Sequence, residues 1–348
     1  MLKKLLVAPV NLLVKPFPRA KRRLDEFKVN IRRWHKLRYF IGDITQAKRF
    51  MFWAEHDASY AKLSAELIFQ YHKLEKGLCI SGPKRFFGRD PVLATCKLVA
   101  RWHRAGFSTN DPVYIGAIET LRAYRNRLDE TPPPSHEAAS IFTALDACID
   151  TSMPSAPDSS TPVPYRPTDG TTEIFDQLCK DRRSVRSYSD VVVPLDLVQD
   201  AIAAAQLSPS ACNRQPWLVH IYRDPKQIAR LLELQNGNTG FGHQLSTLIV
   251  ICADSRYFFD ASERNQPYID SGLFSMSLIL ALQARGIASC CLNWCVAPDL
   301  DQRAHQQGNI ADHEKIIMYL AVGYASANAL VPRSPRRTPQ SMTTIHDN

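Results

Sequence analysis

Hydrophobic positions change their spacing partway along this chain. In "YAKLSAELIFQYHKLEKGL", apolar or aromatic residues recur at Leu63, Leu67, Tyr71 and Leu74, which is one stripe of a helix. Gly77 predicts its end. "DPVYIGAIETLRAYRNRLDE" repeats the pattern, with Asp111 as N-cap and Pro112 in the first turn. "SHEAASIFTALDACID" predicts a further helix capped by Ser135. Residues 1–150 therefore predict a mainly helical N-terminal domain.

Residues 151–170, "TSMPSAPDSSTPVPYRPTDG", break the pattern. Pro154, Pro157, Pro162, Pro164 and Pro167 stand among small polar residues and sustain neither a helix nor a core. This is a linker and a domain boundary. Beyond it, helix and strand periods mix. Thr172 to Lys180 predicts a helix, and "PLDLVQDAIAAAQLS" another, with Leu195, Val198, Ile202 and Ala205 on one face. "WLVHIYR", "STLIVICAD", "IASCCLNW" and "KIIMYLAVGYA" predict strands. Residues 267–285 form a nearly all-apolar helix. Its Ile269, Leu273, Met276 and Leu280 suggest burial on most sides, and Gly286 ends it. Apolar strands that need covering on both faces predict an α+β fold, a layered sheet with helices packed on it, over residues 171–340, with 341–348 as a tail.

The length of 348 residues, 45% of them hydrophobic, suits two domains, each with a core. The net charge of +9 is unevenly spread: residues 1–50 hold 14 lysines and arginines against three acidic residues, and the remainder is slightly acidic. Such an arm is either a solvated basic helix or a contact for an anionic surface. Its apolar runs fall short of the roughly 18–20 residues that span a bilayer. Pro9 and Asn11 interrupt a secretory pattern. Peripheral membrane contact through residues 1–50 stays open beside the plain helical arm; nucleic-acid binding is not expected. Nine cysteines without a C-x-x-C pair, three of them (Cys290, Cys291, Cys295) in one apolar stretch, point to buried free thiols and a cytoplasmic compartment. The ten histidines, His72 and His103 among them, show no metal-ligand spacing.

Two short stretches concentrate chemistry. "DRRSVRSY" sets Arg182, Arg183, Ser184 and Arg186 together where a helix gives way to a turn. Guanidinium forks and a short hydroxyl suit a phosphate pocket, although a solvated charge run has the same letters. "LSPSACNRQPW" is compact and bendable: Pro209 and Pro216 fix the backbone, while Ser210 and Asn213 add short polar groups. It is either a plain loop or a wall for a flat heteroaromatic ring. Neither a G-x-G-x-x-G after a strand, nor a P-loop, nor a G-x-S-x-G elbow occurs.

Taken in order, R-R-S-x-R-x-Y, then S-P-S-x-x-N-x-Q-P-W running into a strand, then a long apolar helix with Asp270 near its start, then "YLAVGYA" and the basic tail "VPRSPRRTP", the C-terminal half resembles the nitroreductase family. The likeness covers about Thr172 to Pro339. It implies a three-layer α/β/α sandwich around a mostly antiparallel sheet, with FMN as cofactor. It also implies NADH or NADPH as electron donor, ping-pong hydride transfer to a small-molecule acceptor, and a homodimer with FMN at the interface. Within that resemblance, Arg182, Arg183, Ser184 and Arg186 fall on the motif that grips phosphate, ribityl chain and pyrimidine edge. Pro209, Ser210, Ala211 and Asn213 fall on the turn beside the isoalloxazine ring, which typically comes from the partner subunit. Asn238 falls on a flavin-contacting loop, and Asn293 and Trp294 on backbone N–H groups near the reactive nitrogen. Arg336 and Arg337, with Arg333, supply the basic tail. No catalytic side chain is required, because the flavin carries the chemistry. Trp294 replaces a glycine that many members carry, and is expected to reshape the substrate face. "YHKLEKGL" resembles a segment of long nitroreductase-like proteins from bacterial surface-polysaccharide gene clusters. The N-terminal region is expected to restrict acceptor size. A non-catalytic flavin-binding scaffold or sensor, or a relative with other flavin chemistry such as dehalogenation or flavin fragmentation, stays open as an alternative.

Overall fold

The computed structural model describes residues 18–54, 56–81, 85–149 and 162–346. The start of the basic arm, and Pro154 and Pro157 of the linker, lie outside them. Helix α1 (Pro18–Phe50) mixes cations with exposed Phe27, Trp34, Phe40 and Ile44 rather than segregating them. Its last turns dock on the C-terminal domain: Gln46 Nε2 donates to Ser255 Oγ (3.1 Å) and to the Asp312 carbonyl (3.0 Å), and Arg49 pairs with Asp312 (3.1 Å). Among the described residues, no helix is long and apolar enough to cross a membrane.

Helices α2 (Tyr60–Cys79), α3 (Arg89–Arg104), α4 (Pro112–Glu130) and α5 (Ser135–Cys148) form the helical domain. They bury Leu63, Leu67, Leu74, Trp102, Leu121, Tyr124, Ile141 and Leu145 in one core. Asp111 caps α4 as the sequence predicts, accepting from Val113 N at 2.8 Å. Two terminus expectations are corrected. Gly77 does not end α2, which runs on to Cys79. A Cβ at Gly77 would stand 2.1 Å from the Phe87 ring, so close approach, not termination, requires glycine there. Ser135 is the first helical residue, and the cap position falls on Pro134.

The linker residues 162–170 are exposed and lead into α6 (Thr172–Asp181). There follow α7 (Leu195–Ala205), β1 (Trp217–Tyr222), α8 (Pro225–Leu232), β2 (Thr247–Asp254), α9 (Gln266–Ala284), β3 (Ala288–Asn293), α10 (Pro298–Gly308) and β4 (Glu314–Gly323). The sheet order is β1-β2-β4-β3, antiparallel at every pairing. Alternation along the central strand divides the domain into layers. Leu248, Val250 and Cys252 face Ile228, Leu231 and Ala304 of α8 and α10; Ile249 and Ile251 face Ala201 of α7 and Phe274, Leu278 and Leu282 of α9. The segment after α6 joins the β3 edge through a parallel bridge, Ser184 to Ser289. The expected α+β sandwich with an antiparallel sheet is the fold observed.

Helix α9 departs from the expectation of burial on most sides. Phe274, Leu278 and Leu282 are buried, while Tyr268, Ile269, Leu273 and Met276 are exposed. A helix apolar all round has one face for its own sheet and another that a single chain leaves unpartnered.

Candidate functional site

Two clusters collect most of the residues singled out by sequence. The first lies along the β3 edge. Val185 N donates to the Ser289 carbonyl (3.1 Å), which fixes Ser184 and Arg186 beside Cys290. Burial pushes the Cys290 thiol up, while the charges of Arg186 and Arg182 pull the other way. Among the described residues, neither Arg182 nor Arg186 pairs with a carboxylate; Arg186 reaches only the Ser184 carbonyl, at 3.4 Å. Arg183 differs. Its guanidinium turns back onto the Lys180 and Arg182 carbonyls at the end of α6, a helix-terminal role.

Asn293 ends β3, and its carbonyl accepts from Gln235 Nε2 at 3.1 Å. The sequence reading missed Gln235. Its buried side chain also accepts from Gly237 N (2.6 Å) and from Asn238 Nδ2 (3.2 Å). The Asn238 amide is spent within its own loop, donating to the Leu232 and Gln235 carbonyls at 2.8 and 2.7 Å. Gln235 and Asn238 thus brace the Asn293 backbone. The Trp294 ring stacks on Tyr319 (centroids 4.4 Å apart, 22° between planes), and its Nε1 donates to Asp301 at 2.6 Å. The indole turns toward α10, so its bulk fills space behind the strand end.

The second cluster is the turn after α7. Cys212, Asn213 and Gln215 all have φ between 51° and 57°, the left-handed region that non-glycine residues avoid. Three anchors hold them. Ala211 N donates to both carboxylate oxygens of buried Asp270 (3.2 and 3.1 Å), one turn into α9. Gln215 N donates to Ser210 Oγ (3.0 Å). Arg214, whose side chain is 1% exposed, donates Nε to the Ala211 carbonyl (2.9 Å) and Nη1 to the Tyr257 carbonyl (2.8 Å), and forks onto Glu263 at 2.9 and 2.5 Å. Pro209 and Asn213 face solvent beside this frame. Nothing in the sequence marks Arg214, which stands between Asn213 and Gln215 of the motif.

The helical domain touches this turn directly. The Arg214 guanidinium sits 5.3–5.9 Å from the rings of Trp53, Phe69, Phe258 and Phe259, two from each domain. One helical turn beyond Phe69 on α2, Lys73 lies 4.0 Å over the Phe69 ring and within electrostatic reach of Cys212. Burial lowers the Lys73 pKa, with Cys212 opposing.

The basic tail leaves β4 beside the first cluster: Ser326 N donates to the Ser187 carbonyl (3.1 Å), and the two hydroxyls meet at 2.7 Å. From Leu330 to His346 it is exposed, Arg333, Arg336 and Arg337 included, and Arg336 bonds only the Ser334 carbonyl. No hydrogen bond joins the two clusters among the described residues. They are the two halves of the candidate site.

Comparison with known proteins bears on these halves. A sequence model of the nitroreductase family matches residues 179–239 and 232–324. A 4-nitrobenzoate reductase of Pseudomonas putida is 24% identical over 227 residues, covering 49% of this chain and 95% of that protein. Iodotyrosine deiodinase 1 of Sus scrofa is 26% identical over 219 residues, covering 54% and 74%. Among solved structures, a nitroreductase-like protein from Streptococcus mutans aligns over 51% of this chain and all of its own, at 20% identity and a TM-score of 0.44.

Proposed function

We propose that this chain, whose residues 179–324 match the nitroreductase family, is an FMN-dependent oxidoreductase working as a homodimer. The observation that carries the reading is the pair of guanidiniums, Arg182 and Arg186, held at the β3 edge without carboxylate partners. With the Ser184 hydroxyl they make a donor set of fixed charge and short reach, which fits a phosphate and its attached polyol. The backbone of Asn293, braced by Gln235 and Asn238, meets the polar edge of the ring. The Pro209–Asn213 turn, reaching across from the partner, walls its face. The exposed Ile269, Leu273 and Met276 stripe packs on its two-fold copy, and the exposed tail carries Arg333, Arg336 and Arg337 toward the neighbour's phosphate.

FMN, when bound, accepts hydride from NADH or NADPH and returns it to a small-molecule acceptor in ping-pong order. The protein binds, orients and shields. Arg186 stabilises the negative charge that the reduced pyrimidine edge carries. Phe69 and Lys73 of α2, over the turn, limit acceptor size. The resemblance of "YHKLEKGL" alone supports a place in surface-polysaccharide metabolism.

A second reading, reductive dehalogenation, is favoured by the deiodinase similarity. Purified protein should be yellow, and anaerobic NADH or NADPH should bleach it. A colourless protein that takes up no added FMN refutes the site. A yellow protein that neither nicotinamide bleaches refutes the reductase reading. Turnover of iodinated rather than nitro-substituted phenols by chemically reduced protein selects the second reading.

A further inference from the structure

His220, Cys252 and Glu314 stand on three strands, and each offers one donor atom; the three atoms all lie within 4.8 Å of one another. From their placement we propose a transition-metal site of the zinc class, formed by residues that none of the flavin motifs includes.

The register explains why they meet. Cys252 lies on β2, the strand between β1 and β4, opposite Leu218 on one side and Ile316 on the other. His220 and Glu314 are each two residues from those partners, so all three side chains share the face of the sheet covered by α8 and α10. The backbones of β1 and β4 are two strand spacings apart, about 9–10 Å. The imidazole and the carboxylate nevertheless lean over the thiol and meet at 2.5 Å, Nε2 to Oε2. A cation inserted there takes both of these atoms and the sulfur beneath them.

The donor set is selective. Imidazole, thiolate and one carboxylate are the ligands of Zn²⁺, with bonds of about 2.0–2.3 Å. A divalent ion with one thiolate and one carboxylate is electrically neutral, which suits a site whose sulfur is fully buried. Burial pushes the Cys252 thiol well above its ordinary range, so the thiol is protonated until a metal arrives. Coordination breaks the S–H bond and releases that proton to solvent, while the imidazole hydrogen moves from Nε2 to Nδ1. Three protein ligands leave a fourth position. His313 Nε2, 3.9 Å from Glu314 Oε1, is near enough to shape it. The site is remote from the arginine cluster: Ser289, beside Ser184, pairs with Val322, eight residues along β4 from Glu314, which is roughly 26 Å at 3.3 Å per residue. It is nearer the turn after α7, since Asp254, opposite Glu314, donates its N–H to the Pro216 carbonyl at 2.7 Å. A metal here ties β1 to β4 across β2.

The test uses untagged full-length protein, stripped by chelator and titrated with Co²⁺ as a spectroscopic probe. One equivalent should bring up a thiolate-to-cobalt charge-transfer band in the near ultraviolet together with tetrahedral d–d bands, and Zn²⁺ should displace both. Cys252→Ser should abolish the charge-transfer band. His220→Gln, which keeps the sulfur, should weaken binding at least tenfold and serves if the serine variant fails to fold. No band in the wild type, or a band that survives in both variants, overturns the proposal.

Discussion

Arg214→Met is the substitution with the most to say about how the turn after α7 is held. The methionine occupies much of the arginine's apolar volume among Trp53, Phe69, Phe258 and Phe259 but removes the charge and every donor. Glu263 then keeps a carboxylate that is 14% exposed and has lost its fork. Removing one partner of a buried pair costs about 3–5 kcal/mol. The Ala211 and Tyr257 carbonyls lose their donors too. The turn has its own claim on this energy: three left-handed residues, Cys212, Asn213 and Gln215, cost about 1–2 kcal/mol each. Arg214 is therefore about as strong as the strain it restrains, and without it the turn relaxes toward extended backbone.

A loss of about 4 kcal/mol, against an m-value of about 2–3 kcal/mol/M in urea, lowers the unfolding midpoint by about 1.3–2 M. FMN affinity, followed by flavin fluorescence quenching, should fall with it. Adding Glu263→Met removes the stranded charge and should recover part of the stability, but not the flavin affinity, because the Ala211 carbonyl is still unheld. That split separates a general loss of stability from loss of the turn. An Arg214→Met protein whose midpoint stays within about 0.3 M of wild type, with FMN affinity unchanged, refutes the reasoning.

Arg182→Ala and Arg186→Ala should each weaken FMN binding about 10–100-fold, the worth of a charged hydrogen bond, with urea midpoints unmoved; equal stability loss in place of affinity loss counts against phosphate contact. Leu273→Arg on the bare face of α9 should give monomers by light scattering, with FMN lost alongside; a stable dimer would place the interface elsewhere. In acid, Asp57 is informative. Burial raises its pKa, but bonds from Lys62 and Ser59 bring it down to about 2, from 3.8. Its contribution to stability is complete above the ordinary carboxylate value and disappears as pH falls through about 2. Asp57→Asn should flatten the stability profile between pH 4 and 2, and an unchanged slope there would show the bonds do not form. Deleting residues 1–150 should cost FMN affinity as well as acceptor selectivity, because it strips Trp53 and Phe69 from Arg214; a truncated protein with full affinity would show the domain to be a detachable cap.

The elements were legible because their periods are strong. All four strands and the α9 helix lie where alternation and apolar spacing put them. The arginine motif was legible as chemistry, yet only structure separates Arg183, folded back on helix carbonyls, from Arg182 and Arg186. What stayed illegible depends on contacts between distant residues. Gly77 reads as a stop until Phe87 is seen against it. Trp294 gives no local sign of its stacking on Tyr319. The apolar stripe of α9 identifies a buried helix, but not which face its own sheet takes. His220, Cys252 and Glu314 have no local spacing to betray them, because strand register alone brings them together.

The same logic changes what the N-terminal region is. Sequence divides the chain at a proline-rich linker. Energetically the boundary runs elsewhere. Trp53 donates its indole N–H to the Arg256 carbonyl (2.9 Å), Trp53 and Phe69 close half the aromatic box around Arg214, and Arg214 holds the Ala211 carbonyl. Each step is a direct contact, so the path from the helical domain to the flavin turn is two residues long. If the helical domain leaves, Arg214 keeps its fork on Glu263 but loses two of the four rings that box it and is opened to water, which weakens the pair. The turn's left-handed backbone is thus maintained by residues more than a hundred positions away in sequence, and the helical domain is part of the site's frame before it is a limit on what enters.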